Sequence, residues 1–158
     1  MAASSGSQPP GADAADEAEI AAAALGLVLA RATAGVYPKV PAVQMRALQF
    51  IGDHEPINLT RLTEELGTIA SSASRLCDRL QAAGLLDRRS ATTDRREVEL
   101  VLTSDGVRLL ERLRAARRAG LAEVLERMSP QGRAALLRGL HEFSIAAEQV
   151  ALHEQDTA

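Results

Sequence analysis

Three serines and an arginine crowd the start of one segment: Ser71, Ser72, Ser74 and Arg75 in "ASSASRLCDRLQAAG". Downstream, "SATTDRREVELVLT" carries Asp94, Arg95 and Arg96 just ahead of an alternating apolar run. Small hydroxyls let a backbone come near a surface and donate to phosphate oxygens, and an arginine fork can bond guanine at two points. Arginine also suits a narrow minor groove, where negative potential is focused and its weak hydration makes desolvation cheap. Both groups have the chemistry to grip a nucleic-acid duplex, provided that the fold presents them together.

Periodicity predicts the elements that must position them. In the serine segment Ala73, Leu76, Cys77 and Leu80 fall at i, i+3, i+4 and i+7, which predicts a helix over about Ala70 to Ala83 with that stripe buried. Ser71, Ser72, Ser74, Arg75, Asp78 and Arg79 then lie on its outer side. Gly84 closes it at the position of a left-handed cap. Upstream, Asn58 is the N-cap of a short helix over about Leu59 to Leu66, ended by Gly67. Two short helices joined by a tight, glycine-containing turn form the helix-turn-helix pattern. Strands follow over about Leu85 to Arg89 and Glu97 to Leu102, with Val98, Leu100 and Leu102 as the buried face and "TTD" as the reversal. Arg95 and Arg96 project from this hairpin tip, with Asp94 orienting an arginine by a salt bridge.

Further helices frame this centre. A first one spans about Asp16 to Val36 and ends at "YPKVP", and a second spans about Ala42 to Asp53 with Val43, Ala47, Leu48 and Ile51 on one face. Thr103 caps a long helix to about Arg127, and Ser129–Pro130 opens a last helix to about Leu152. Residues 1–15 are small, polar and punctuated by proline and glycine, so disorder is expected there.

Composition narrows the class. The 158 residues are 46% hydrophobic but only 2% aromatic, so Leu, Ala and Val fill the interior and a mostly helical fold follows. A net charge of −3 argues against nucleic acid only until its distribution is considered. Arg75 to Arg96 hold six arginines against three acids, whereas the first nineteen residues hold four acids and no base. Lys39 is the only lysine among 18 basic residues. Cys77 is the single cysteine, which precludes an intrachain disulfide and fits a reducing cytoplasm. The alanine-rich run from Ile20 to Ala30 is short and preceded by acids, unlike a signal peptide or membrane span. No nucleophile, base and orienting group come together in sequence, and "GSQPPG" lacks the lysine of a phosphate loop, so neither enzymatic activity nor a cofactor is expected.

The segment from about Val43 to Gly106 resembles the MarR family of bacterial winged-helix regulators. The resemblance rests on "SRLCDRLQAAGLLDRR", the wing "DRR" and the exit "VELVLTSDG". It maps the family's serine-rich helix start onto Ser71, Ser72 and Ser74, its Arg-x-x-x-Arg-Leu segment onto Arg75, Arg79 and Leu80, and its Gly-Leu turn onto Gly84 and Leu85. Its Asp-x-Arg wing falls on Asp94 and Arg96, and its Leu-Thr-x-x-Gly exit on Leu102, Thr103 and Gly106. Ile69 and Ala70 depart from the family's Ser-Pro-like helix start, which leaves Thr68 as the residue to cap.

The resemblance implies a mainly α fold, a winged helix-turn-helix with a two-stranded wing and a helical dimerisation region. It implies an N-terminal dimerisation helix at 16–40, a DNA-binding region at 41–103, C-terminal dimerisation helices at 104–152 and a tail at 153–158. It further implies a cytoplasmic homodimer that binds a pseudo-palindromic operator in double-stranded DNA, with no membrane partner. The regulator is expected to repress transcription until a small-molecule effector binds between the dimer-forming helices and the winged helix, a region that Tyr37, Arg46 and Phe50 reach by chain order. Two alternatives stand beside it: a redox-responsive regulator acting through Cys77, and a helical protein-interaction scaffold that binds no DNA. His54, His141 and His153 form no i, i+4 pair and join no Cys/His cluster, so no metal site is expected.

Overall fold

The computed structural model describes residues 12–90 and 98–156. Its elements run α1 (Ala12–Thr33), α2 (Ala42–His54), α3 (Leu59–Leu66), α4 (Ala70–Ala82), β1 (Leu86–Ser90), β2 (Val98–Leu102), α5 (Ser104–Glu126) and α6 (Pro130–Asp156). The order matches the mainly helical, two-stranded architecture expected from periodicity. The chain divides into two units, with the boundary after Arg118, inside α5.

Local capping chemistry sets most of the boundaries. The Asn58 side chain accepts from the Arg61 amide at 3.0 Å, and Gly67 ends α3 in the left-handed region at φ 57°. Gly84 has φ 70° and lets the Leu85 amide donate back to the Leu80 carbonyl at 3.0 Å, which terminates α4. Ser129 Oγ accepts from the Gly132 amide at 3.0 Å, ahead of Pro130 at the first position of α6. Asn58→Ala removes one of these caps and is expected to cost about 1 kcal/mol in denaturant unfolding. An unchanged midpoint would mean that α3 is held by packing alone.

The core of the first unit gathers around the helix-turn-helix. Ala47, Leu48 and Ile51 of α2, Leu62 of α3 and Leu76, Cys77 and Leu80 of α4 pack with Leu86, Leu100 and Leu102 of the sheet and with Leu109 and Leu110 of α5. The strands pair antiparallel with Leu86 opposite Leu102 and Arg88 opposite Leu100. Ile57 extends the sheet by an isolated bridge, its carbonyl accepting from the Leu100 amide at 2.7 Å. Glu55 Oε2 accepts from the Leu102 amide at 3.0 Å, so the segment after α2 anchors β2.

Several expectations need correction. Helix α1 begins at Ala12 rather than Asp16, with Asp13 in its first turn, where a carboxylate meets the positive end of the helix dipole. The expected disorder of residues 1–15 therefore fails at 12–15, while 1–11 lie outside the described residues. That helix stops at Thr33, whose hydroxyl donates to the Leu29 carbonyl at 2.9 Å. The expected tail at 153–158 is helical as far as Asp156. Val98, expected on the buried face of β2, is exposed because it lies beyond the core at the outer end of the ladder. The first turns of α5 bury Gly106, Leu109, Leu110 and Leu113 in the first unit, so the core of that unit extends past residue 103.

Candidate nucleic-acid interface

Helix α4 buries the predicted stripe of Ala73, Leu76, Cys77 and Leu80. Its outer side presents Ser71, Ser72, Arg75, Asp78 and Arg79, all exposed, with Ser74 half-buried beside them. Neither Arg75 nor Arg79 pairs with a carboxylate among the described residues, so both keep their donors for an external acceptor. Ser72 and Arg79 line a shallow depression with Val43, Leu66, Thr68 and Leu76, between the start of α2 and the α3–α4 turn. Ser71 and Arg75, one helical turn apart, form the adjacent strip.

The start of α4 departs from expectation. Ile69, not Thr68, holds the N-cap position, with extended φ −89° and ψ 152°, and no side chain caps the helix. The Thr68 amide is instead used in closing α3, donating to the Thr63 carbonyl at 3.2 Å. Ile69 itself is 68% exposed, an apolar side chain standing at the same end of the helix as Ser71 and Ser72.

Asp78 is the one acid on this outer side of α4, and it has a partner. Arg88 Nη2 lies 2.7 Å from Asp78 Oδ1 and 3.3 Å from the Ser74 carbonyl oxygen. Strand geometry explains the reach: Leu86 and Arg88 share one face of β1, Leu86 is buried in the core, and Arg88 continues that face outward over α4. In the sequence Arg88 stands out only as one of the local positive charges. The pair joins a strand to a helix across an intervening turn, and no local spacing rule signals such a contact.

Cys77 is fully buried, and burial pushes its thiol up, with the neighbouring Arg88 guanidinium pulling less strongly the other way. A peroxide-sensing cysteine needs thiolate character and access; burial closes off the access to Cys77 and works against its thiolate. Asp94, Arg95 and Arg96 lie outside the described residues, which resume at Val98 on β2.

Tyr37, Arg46 and Phe50 have three different environments. Tyr37 is exposed, and its carbonyl accepts from Arg112 Nη2 at 3.0 Å. Arg46 is tied to the end of α3 through the Glu65 carbonyl at 3.0 Å and its carboxylate at 3.3 Å. Phe50 packs against the core, its ring centroid 4.4 Å from that of His54. Among the described residues no three His, Cys, Asp or Glu side chains converge as a metal site would need, and no helix is long and apolar enough to cross a membrane.

Comparison with known proteins agrees with this geometry. The model of the MarR family matches residues 39–97, which contain the helix-turn-helix, the first wing strand and the wing-tip sequence and end just before β2. The HTH-type transcriptional regulator YfiV of Bacillus subtilis (strain 168) is 30% identical over 105 residues, which cover 66% of this chain and 66% of that protein. The chain thus spans about two thirds of the length of that curated relative. The crystal structure of RV1404 from Mycobacterium tuberculosis superposes with a TM-score of 0.80 at 33% identity, covering 89% of this chain and 97% of that one. Streptococcus pneumoniae FabT, solved in complex with DNA, shares the fold with a TM-score of 0.65 at 21% identity, covering 85% of this chain and 94% of that one.

Proposed function

The chain belongs to the MarR family of DNA-binding transcriptional regulators, and from that premise we propose that it acts as a homodimeric repressor of a pseudo-palindromic operator, released by a small molecule. The observation that carries this reading is the outer side of α4, where small hydroxyls surround an exposed arginine with no internal partner. In the proposed complex Ser71, Ser72, Ser74, Arg75 and Arg79 enter the major groove. Arg95 and Arg96, with Asp94 beside them, enter the neighbouring minor groove from the wing. FabT, a protein of the same fold, forms a complex with DNA, which supports the same class of partner here.

Exposed apolar side chains support the dimer. Ile20 and Leu27 of α1 are exposed, and within the second unit Leu137 is 54% and Phe143 68% exposed. Covering these apolar side chains is favourable, and a second copy supplies matching faces by two-fold symmetry. Two recognition helices then address half-sites about one DNA turn, roughly 34–36 Å, apart. Effector binding shifts the population towards a dimer whose helices are misspaced for the operator, which requires the effector to prefer that state.

A mobility-shift titration against the DNA upstream of the protein's own coding sequence tests this reading, with light scattering to count protomers. Saturable retardation by a dimer, weakening steeply as salt rises from about 50 to 200 mM, is the expected result. Absence of any shift at low salt, or a chain that stays monomeric at micromolar concentration, would overturn it in favour of the protein-scaffold reading.

A further inference from the structure

We propose that Arg88 is a positioning residue for DNA recognition, holding Asp78 neutralised on the outer side of α4 so that the helix meets the duplex without a bare carboxylate. The inference rests on the reading of α4 as the groove-entering helix, and it assigns a task to two residues outside the proposed contact set.

Asp78 follows Ser74 and Arg75 by one turn and so shares their strip of the helix. Its side chain remains 56% exposed, facing outward among the residues proposed to touch DNA. A carboxylate there has two possible uses: to accept from the amino group of cytosine, or to be silenced. The geometry points to silencing. Arg88 Nη2 sits 2.7 Å from Asp78 Oδ1 and also 3.3 Å from the Ser74 carbonyl, so the guanidinium is anchored to the helix backbone as well as to the acid. Arg88 is itself only 30% exposed, held on the core-continuing face of β1 opposite Leu100.

Stability is a poor account of this pair. A half-exposed ion pair contributes little to folding because solvent screens it. Its effect on a polyanion is larger: with Arg88 in place the pair is neutral, and without it each protomer brings one unscreened negative charge towards the phosphates. The pair also joins β1 to α4, so a strand of the wing carries the charge that makes the recognition helix acceptable to DNA.

The test uses the full chain and a duplex selected from a random pool by the wild-type protein, with affinity read across a salt series and the thermal midpoint read in parallel. Arg88→Gln is expected to weaken binding on the order of tenfold at low salt, with a midpoint close to that of wild type. Asp78→Asn alone is expected to bind as wild type or more tightly, and Arg88→Gln combined with Asp78→Asn to recover most of the lost affinity. If the double variant is as weak as Arg88→Gln, the guanidinium acts by bracing the fold and the proposal fails. If Asp78→Asn alone is as weak as Arg88→Gln, Asp78 itself reads DNA and the proposal also fails. Arg88→Met serves the same comparison should Arg88→Gln not fold. Arg75→Ala is the control for the underlying reading: if it changes neither affinity nor base preference, or if no duplex is selected at all, the fault lies with the assignment of α4 and not with the Arg88–Asp78 pair.

Discussion

Replacing Arg75 by alanine is expected to relax the preference for one base pair in each half-site by about 1–3 kcal/mol and to weaken binding to unrelated duplex only slightly. Arg75 is the residue for which this follows most directly. It is exposed on α4, it pairs with no described carboxylate, and Ser71 lies one turn before it with a side chain too small to keep the helix away from the groove floor. In the proposed complex a guanidinium in that position would make two parallel bonds to the O6 and N7 of guanine, which alanine cannot make. Competition titrations with duplexes substituted one base pair at a time report the effect. Wild-type discrimination at every position by Arg75→Ala would remove this residue from direct readout.

The second large effect falls on folding. Alanine at Gly106 would place its Cβ 2.2 Å from the Leu85 carbonyl oxygen and 3.5 Å from the Leu102 Cβ. The obstacle is backbone that is already committed, because the Leu85 carbonyl accepts from the Thr103 amide at 3.1 Å. Thr103 Oγ1 in turn donates to the Gly84 carbonyl at 2.6 Å and accepts from the Gly106 amide at 3.1 Å. The end of α4, the end of β2 and the first turn of α5 thus converge within one hydrogen-bonded knot. Overpacking such a point is expected to cost about 3 kcal/mol, and at roughly 2–4 °C per kcal/mol the thermal midpoint should fall by about 6–12 °C. Gly52→Ala is the internal comparison. There the new Cβ meets the Cδ1 atoms of Leu102 at 2.8 Å and Leu110 at 2.9 Å, side-chain ends that can turn aside, so a smaller fall is expected. Equal midpoints for Gly106→Ala and wild type would mean that α5 shifts freely relative to the turn after α4.

Arg88 and Arg75 divide the work in the proposed interface. One supplies a bond to a base edge, and the other cancels a charge that would oppose the approach. Variants of the two should therefore fail differently: Arg75→Ala in sequence preference, Arg88→Gln in affinity for every duplex alike.

What the amino-acid sequence determined by itself was whatever rests on neighbours three or four residues apart. The helices α2 to α5, the caps at Asn58, Thr103 and Ser129 and the glycine stops at Gly67 and Gly84 were all legible, because each depends on backbone groups within one turn. The buried stripe of α4 was legible for the same reason, and with it the set of side chains left facing outward. Tertiary structure alone decided the rest. The grip of Glu55 on the Leu102 amide, the Ile57 bridge to Leu100 and the reach of Arg88 to Asp78 each join segments that meet only after the hairpin has folded back on the helices. Val98 continued the alternation perfectly yet stands exposed, because periodicity tells which face a strand residue shares but not how far the core extends beneath it.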